Sequence, residues 1–223
     1  MEGITQNFVI TIGRQMGSGG RLLGRKLAER LGVRFFDKEL LMEAAREAGV
    51  CTEFFERNDE RPPRYVNSQF NFAFGLNPMA WFDSASSITD DCLYNSQCEF
   101  IRHEADKESC IIVGRTADYV LRDRPNVVNI FVVSDPDDCV QRVMQRDGVK
   151  TPEEARRIIE RANKSRATYY NFYTDKTWGD STSYDLTFNL SRIGIDAAIE
   201  LVITFLKQRL DFVAQNHLTS NPQ

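Results

Sequence analysis

The chain has 223 residues, 42% of them hydrophobic, with 28 basic against 32 acidic side chains and a net charge of −4. That length supports one α/β domain with a sizeable core, and the acidic balance argues against a general nucleic-acid binder, whose phosphate contacts need a basic excess. The five cysteines contain no C-x-x-C pair, which argues against a cysteine metal centre and fits a reduced cytoplasmic protein, and no apolar run suits a signal peptide or a membrane span.

The first element is an apolar strand over residues 8–12, Phe-Val-Ile-Thr-Ile, which stops at Gly13 and Arg14. Gly17, Ser18, Gly19, Gly20 and Arg21 follow, then a helical pattern with Leu22, Leu23, Leu27 and Leu31. Strand, glycine-rich loop and helix form the unit that cradles phosphate, because glycines let backbone amides turn toward an anion and the helix start adds a positive dipole end. A tight turn without a ligand is the plainer alternative. The dinucleotide pattern G-x-G-x-x-G fits Gly17 and Gly19 but meets Leu22 where it needs glycine. The mononucleotide pattern G-x-x-x-x-G-K-[ST], anchored on Gly19, wants Gly at 14, Lys at 20 and Ser or Thr at 21. The chain has Arg14, Gly20 and Arg21 there.

Further along, short apolar strands are expected at 34–36, 110–113, 127–133 and 185–189, and helices at 38–48, 88–106, 136–146, 152–172 and 195–212. This alternation predicts a parallel sheet with helices on both faces, an α/β three-layer fold. Residues 57–83 break the rhythm, with turn signals at Pro62-Pro63 and Pro78 around Phe70, Phe72, Phe74, Trp81 and Phe82. They read as an irregular insert, either a satellite core or an aromatic substrate wall. The stretches Gly13 to Arg21, Asp37, Gly114-Arg115 and Ser134-Asp135 directly follow strands, so they should share the ligand-binding rim of the sheet. Asp37 also suits the N-cap of the helix that follows it. The helix over 152–172 carries Arg157, Arg161 and Lys164 on one face and Arg166 further on; a solvated charged face is the ordinary reading of such a run. Tyr169, Tyr170, Tyr173 and Trp178 read mainly as packing residues. His103 and His217 have no neighbours at metal-ligand spacing. Residues 214–223 read as a polar tail.

The segment ITIGRQMGSGGRLLGRKLAERLGVRFFD is similar, without a gap, to the opening of bacterial cytidylate kinases. More closely it resembles the cytidylate-kinase-like family, whose loop carries G-S-G-G-R. IIVGRTADYVL at 111–121 is a second match, and a third carries Arg166, Tyr169-Tyr170, Trp178 and Tyr184-Asp185. The likeness runs in order over most of residues 8–205 and is weakest from 51 to 90. It implies a P-loop NTPase fold with a five-stranded parallel sheet in the order 2-3-1-4-5. It further implies one kinase-like domain over 1–213, with a substrate-side insert at about 51–105 and a lid at about 150–182.

The resemblance also assigns roles. Arg14, Gly17, Ser18, Gly19, Gly20 and Arg21 would hold the donor phosphates of ATP. Arg115 would reach the acceptor monophosphate. From position in the chain, Lys38 next to Asp37 could reach an acceptor phosphate, and Asp118 could orient Arg115 or a sugar hydroxyl, with a structural Arg115–Asp118 ion pair as the plainer alternative. Arg161 and Arg166 would act from the lid on the moving phosphoryl group, with Asp37 orienting the acceptor or a magnesium-bound water. Mg2+ would ride on the donor phosphates, with Ser18 or Asp37 as its protein contact. The partners implied are small nucleotide substrates, not nucleic acid or membrane, with a homodimer as a candidate assembly. Departures are visible: Gly20 and Arg21 replace the loop lysine and hydroxyl, Val113 and Thr116 replace aspartates of cytidylate kinases, and Glu43 replaces an arginine. The cytosine-reading set therefore does not carry over. The expected activity is ATP-dependent phosphoryl transfer to a small acceptor, a nucleoside monophosphate. The alternative is a nucleotide-binding protein without turnover.

Overall fold

A computed structural model describes residues 4, 6–37 and 84–219, the side chains of 84–93 and 217–219 excepted. The described elements are, in order, β1 (Val9–Arg14), α1 (Gly20–Leu31), β2 (Arg34–Phe36), α2 (Ser84–Lys107), β3 (Cys110–Val113), α3 (Ala117–Val120), β4 (Val127–Val133), α4 (Pro136–Asp147), α5 (Pro152–Thr174), β5 (Leu186–Asn189), α6 (Leu190–Ile193) and α7 (Ile195–Thr219). A short 3-10 turn, Ser181–Ser183, precedes β5.

The five strands form one sheet in the order β2-β3-β1-β4-β5. Every pairing is parallel, with Ile10 beside Ile111 on one side and Val128 on the other. β1 is therefore central, and its residues Val9 to Ile12 are buried on both faces, as a helix-covered parallel strand must be. One face packs Ile10, Ile12, Ile111 and Ile130 against Leu23 and Leu27 of α1 and Val202 and Leu206 of α7. The other packs Val9, Cys110 and Ile112 against Phe100 and Ile101 of α2 and Leu121. A smaller cluster joins Val140 and Val143 of α4 to Ala155 of α5. This is the three-layer α/β fold and strand order expected.

Local sequence explains the element ends. α1 stops at Gly32 and α4 at Gly148, both in the left-handed region, where glycine carries no Cβ penalty. α4 and α5 each begin with proline, whose missing N–H is harmless there. α7 continues to Thr219, past the expected end at 212, because its next helix breaker is Pro222. The helix over 38–48 and the aromatic segment 57–83 lie outside the described residues, as does Lys38. Among the described residues no helix is long and apolar enough to cross a membrane.

Candidate active site

The chain leaves β1 at Arg14 and re-enters regular structure at Gly20, so Gln15 to Gly19 make the loop. Its shape depends on Gly17 (φ 79°) and Gly19 (φ 86°), a region that side chains other than glycine rarely adopt. A β-carbon on Gly17 would also come within 2.7 Å of the Cys139 carbonyl oxygen, so the loop can pass α4 only as bare backbone. Ser18 is fully buried and locks the turn, its hydroxyl donating to the Gln15 carbonyl at 2.9 Å. Neither the Gly17 nor the Gly19 amide has an acceptor among the described residues. α1 has no acidic residue in its first turn, so nothing in that turn competes with an external anion for the dipole.

Neighbouring strand ends close on this loop. Ser134, just after β4, donates from its hydroxyl to the Ser18 carbonyl at 2.9 Å. Arg142 of α4 donates to the Gly17 carbonyl at 2.9 Å and to Ser134 Oγ at 3.0 Å. From α5, Asn163 accepts the Met16 amide at 2.8 Å and Arg166 donates to the Arg14 carbonyl at 3.0 Å. The expected lid helix thus rests on the loop through residues three apart on one face. At the end of β2, buried Asp37 accepts from Arg21 Nε at 2.7 Å. The expected common rim forms.

The turn after β3 is the most strained backbone of the site. Gly114, Arg115 and Thr116 have φ of 80°, 65° and 52° in succession, and the last is β-branched. Such conformations cost energy and persist only where surrounding contacts hold them. Here Thr116 Oγ1 lies 3.1 Å from the Tyr94 hydroxyl, and Tyr94 stacks on Tyr173 of α5 at 3.7 Å between ring centres. The turn buries Arg115, which donates to Gln97 Oε1 at 3.2 Å and is also drawn toward Tyr169.

The charge balance is one-sided. Arg14, Arg21, Arg115 and Arg166 come from β1, α1, the β3 turn and α5, and Asp37 is the carboxylate among them. Burial, and then repulsion from Arg166 and Arg115, push the Arg14 guanidinium well below its ordinary pKa. Burial lowers Arg115 and Arg166 to about 10, so both stay charged at neutral pH. A net-positive cluster beside loop amides that have no acceptor among the described residues is an arrangement suited to a polyanion such as a phosphate chain.

Some expected residues lie elsewhere. Arg161 is exposed and makes no hydrogen bond or ion pair among the described residues. Five residues from Arg166, it is turned roughly 140° around α5, away from the face that holds the loop. Asp118 accepts a hydrogen bond from the Tyr170 hydroxyl at 2.7 Å and is raised in pKa by burial; it braces α5. Trp178 packs edge-on against Phe131, as a packing residue should. His103, largely exposed, lies 3.2 Å from Glu104.

For a magnesium ion the protein offers little of its own. Among the described residues no group of three or more His, Cys, Asp or Glu is arranged to hold a metal. The Ser18 hydroxyl is turned into the loop, which leaves Asp37. One carboxylate beside a phosphate site fits magnesium, a hard ion that keeps most of its water and is held chiefly by substrate phosphates.

Comparison with known proteins agrees with this architecture. Residues 9–192 match the cytidylate kinase-like family. A cytidylate kinase from Pyrococcus horikoshii is 24% identical over 197 residues, covering 87% of this chain and 86% of that protein. One from Thermococcus kodakarensis gives the same figures. Among solved structures, an uncharacterized protein from Eubacterium ventriosum is 31% identical with a TM-score of 0.67, over 90% of this chain and 98% of that one. Shikimate kinase from Bacteroides thetaiotaomicron shares the fold at 16% identity, with a TM-score of 0.52 over 91% and 99% of the two chains.

Proposed function

The chain belongs to the cytidylate kinase-like family, and on that premise we propose that it transfers a phosphoryl group from ATP to a small anionic acceptor, a nucleoside monophosphate. The observation that carries this reading is the convergence of four arginines from four elements, with one carboxylate, on a glycine loop at a helix start. Phosphoryl transfer needs in-line placement of two phosphates and positive charge around the moving group. A single bound phosphate would not call for so many cations.

The donor phosphates lie on the amides from Gly17 to Arg21. Arg166, held by the Arg14 carbonyl, supplies charge at the terminal phosphate. Arg115 holds the acceptor phosphate from the opposite side, with Lys38 as a second cation. Asp37 keeps Arg21 directed along the loop, and is the residue that would contact magnesium. Bound there, magnesium would neutralise charge on the donor oxygens. Asp118 acts through Tyr170, as a positioning residue for α5. Docking of α5 on the loop excludes water, which would otherwise compete for the phosphoryl group.

Two observations favour a second reading, nucleotide binding without turnover. β3 is apolar to its last residue, Val113, and the Ser18 hydroxyl is committed to the loop, so ligands for a metal are sparse. The test is ATP turnover on a panel of nucleoside monophosphates, set beside ATP affinity by calorimetry. Turnover on at least one pyrimidine or purine monophosphate is the expected result. Tight ATP binding with no turnover on any acceptor would establish the second reading.

A further inference from the structure

A loop of the G-x-x-x-x-G-K-[ST] kind carries glycine where this chain has Arg14 and lysine where it has Gly20. The two positions have exchanged residue types, and the structure shows why they must change together. A β-carbon on Gly20 would lie 2.7 Å from the β-carbon of Arg14, 3.2 Å from that of Val132 and 3.3 Å from the γ-carbon of Arg14, so Arg14 is the severe clash and Val132 a tight contact that must give slightly. Two β-carbons do not approach so closely, so only one of these positions can carry a long side chain. In this chain it is position 14.

We propose that Arg14 is the loop's phosphate cation, performing from the end of β1 the task that a lysine at position 20 performs from the start of the helix. This rests on the kinase reading above and specifies which side chain acts at the transfer step. The path of the side chain supports it. Its stem runs along Gly20, and a β-carbon on Gly114 would overlap one of its guanidinium nitrogens. Two glycines from different elements therefore floor a channel that Arg14 fills. The channel leads from the loop to the Gly114-Arg115 turn, which is from the donor site to the acceptor site.

The guanidinium is also the group left over. Arg21 has Asp37, Arg115 has Gln97, and Arg166 has a backbone carbonyl. Among the described residues, no hydrogen bond or ion pair reaches the Arg14 head. A half-buried cation surrounded by other cations is costly unless an anion joins it. A guanidinium presents a rigid planar fork that can pair bidentately with phosphate oxygens, a geometry the single ammonium of a lysine does not reproduce.

The experiment compares the wild type with Arg14→Met, Arg14→Gly, Gly20→Lys and the double variant Arg14→Gly/Gly20→Lys. It reads single-turnover transfer, ATP affinity by calorimetry and melting temperature. Methionine keeps the stem and removes the charge, so its loss is not a folding loss. We expect Arg14→Met and Arg14→Gly to transfer about 100-fold more slowly or worse. Gly20→Lys alone should melt lower and lose ATP, because two side chains then compete for one space. The double variant should melt above Gly20→Lys and regain at least about tenfold in rate over Arg14→Gly, since a lysine restores charge without the fork. If the wild type binds ATP without turning over, the same order is expected in ATP affinity. Wild-type rate and affinity in Arg14→Met, or a double variant that melts like the wild type yet transfers no faster than Arg14→Gly, would overturn the assignment while leaving the kinase reading in place. A wild type that neither binds ATP nor transfers phosphate would overturn both.

Discussion

Replacing Arg115 separates recognition of the acceptor from stability of the fold. The side chain is buried and its backbone has φ 65°. Alanine and glycine remove the same phosphate contact, but only glycine tolerates that backbone conformation freely. A charged hydrogen bond in a desolvated site contributes about 1.5–3 kcal/mol. At about 1.4 kcal/mol per factor of ten, the acceptor KM should rise roughly tenfold to 150-fold in both variants. Relief of the left-handed strain should make Arg115→Gly more stable than Arg115→Ala by about 1 kcal/mol. The assay is initial-rate kinetics with each substrate varied in turn, beside thermal melting of both variants. An increase confined to the KM for ATP would mean that donor and acceptor sites are reversed. Equal melting of the two variants would refute the strain argument at this turn.

Gly19→Ala adds a β-carbon in ordinary contact with its surroundings, the nearest atom being Leu190 Cδ1 at 3.4 Å, but at φ 86°; it should cost about 1–2 kcal/mol of stability, seen in denaturant melts, and weaken ATP more than tenfold by calorimetry. Arg166→Ala should lower kcat on the order of 100-fold, whereas exposed Arg161→Ala should stay within about twofold of wild type; equal losses would show that α5 turns both arginines inward during turnover. The depressed pKa values of Arg115 and Arg166, both about 10, give activity an alkaline limit: the charges are present below that value and lost above it, so kcat/KM should fall as pH rises through about 10. In stability the sign is opposite. A cation whose folded pKa is lowered destabilises the fold while charged, and stability recovers as pH rises through the folded value, so the empty protein should melt lower at neutral pH than with inorganic phosphate bound.

The sheet was legible because each strand is a short apolar run followed by a turn signal. Strand order came from the family resemblance, and the common rim from the rule that loops after parallel strands gather at one edge. Contacts made a turn or more inside a helix were not legible. Arg142 spaces with Asp138 as an ordinary i,i+4 surface pair, and nothing local says that it reaches the Gly17 carbonyl. Asn163 sits in a charged run and looks solvated, yet it holds the Met16 amide. Tyr94 supports the strained turn from α2, far away in sequence. Each of these depends on how helices pack, which periodicity does not encode. Arg161 entered the expected site through the family resemblance, as a lid arginine, whereas the face of α5 that docks on the loop carries Asn163 and Arg166. The reciprocal change at 14 and 20 was visible as two separate mismatches; only the 2.7 Å separation makes them one feature.

The kinase reading requires two phosphate sites facing each other across the arginine cluster. A bisubstrate analogue, adenosine joined to a second nucleoside through a chain of phosphates, puts this arrangement to the test. Such a ligand fills both sites at once, so calorimetry should show it binding at least about 100-fold more tightly than ATP. Arg115→Ala should weaken the analogue but leave ATP affinity unchanged. An analogue that binds no more tightly than ATP, or is indifferent to Arg115, would rule out two facing phosphate sites.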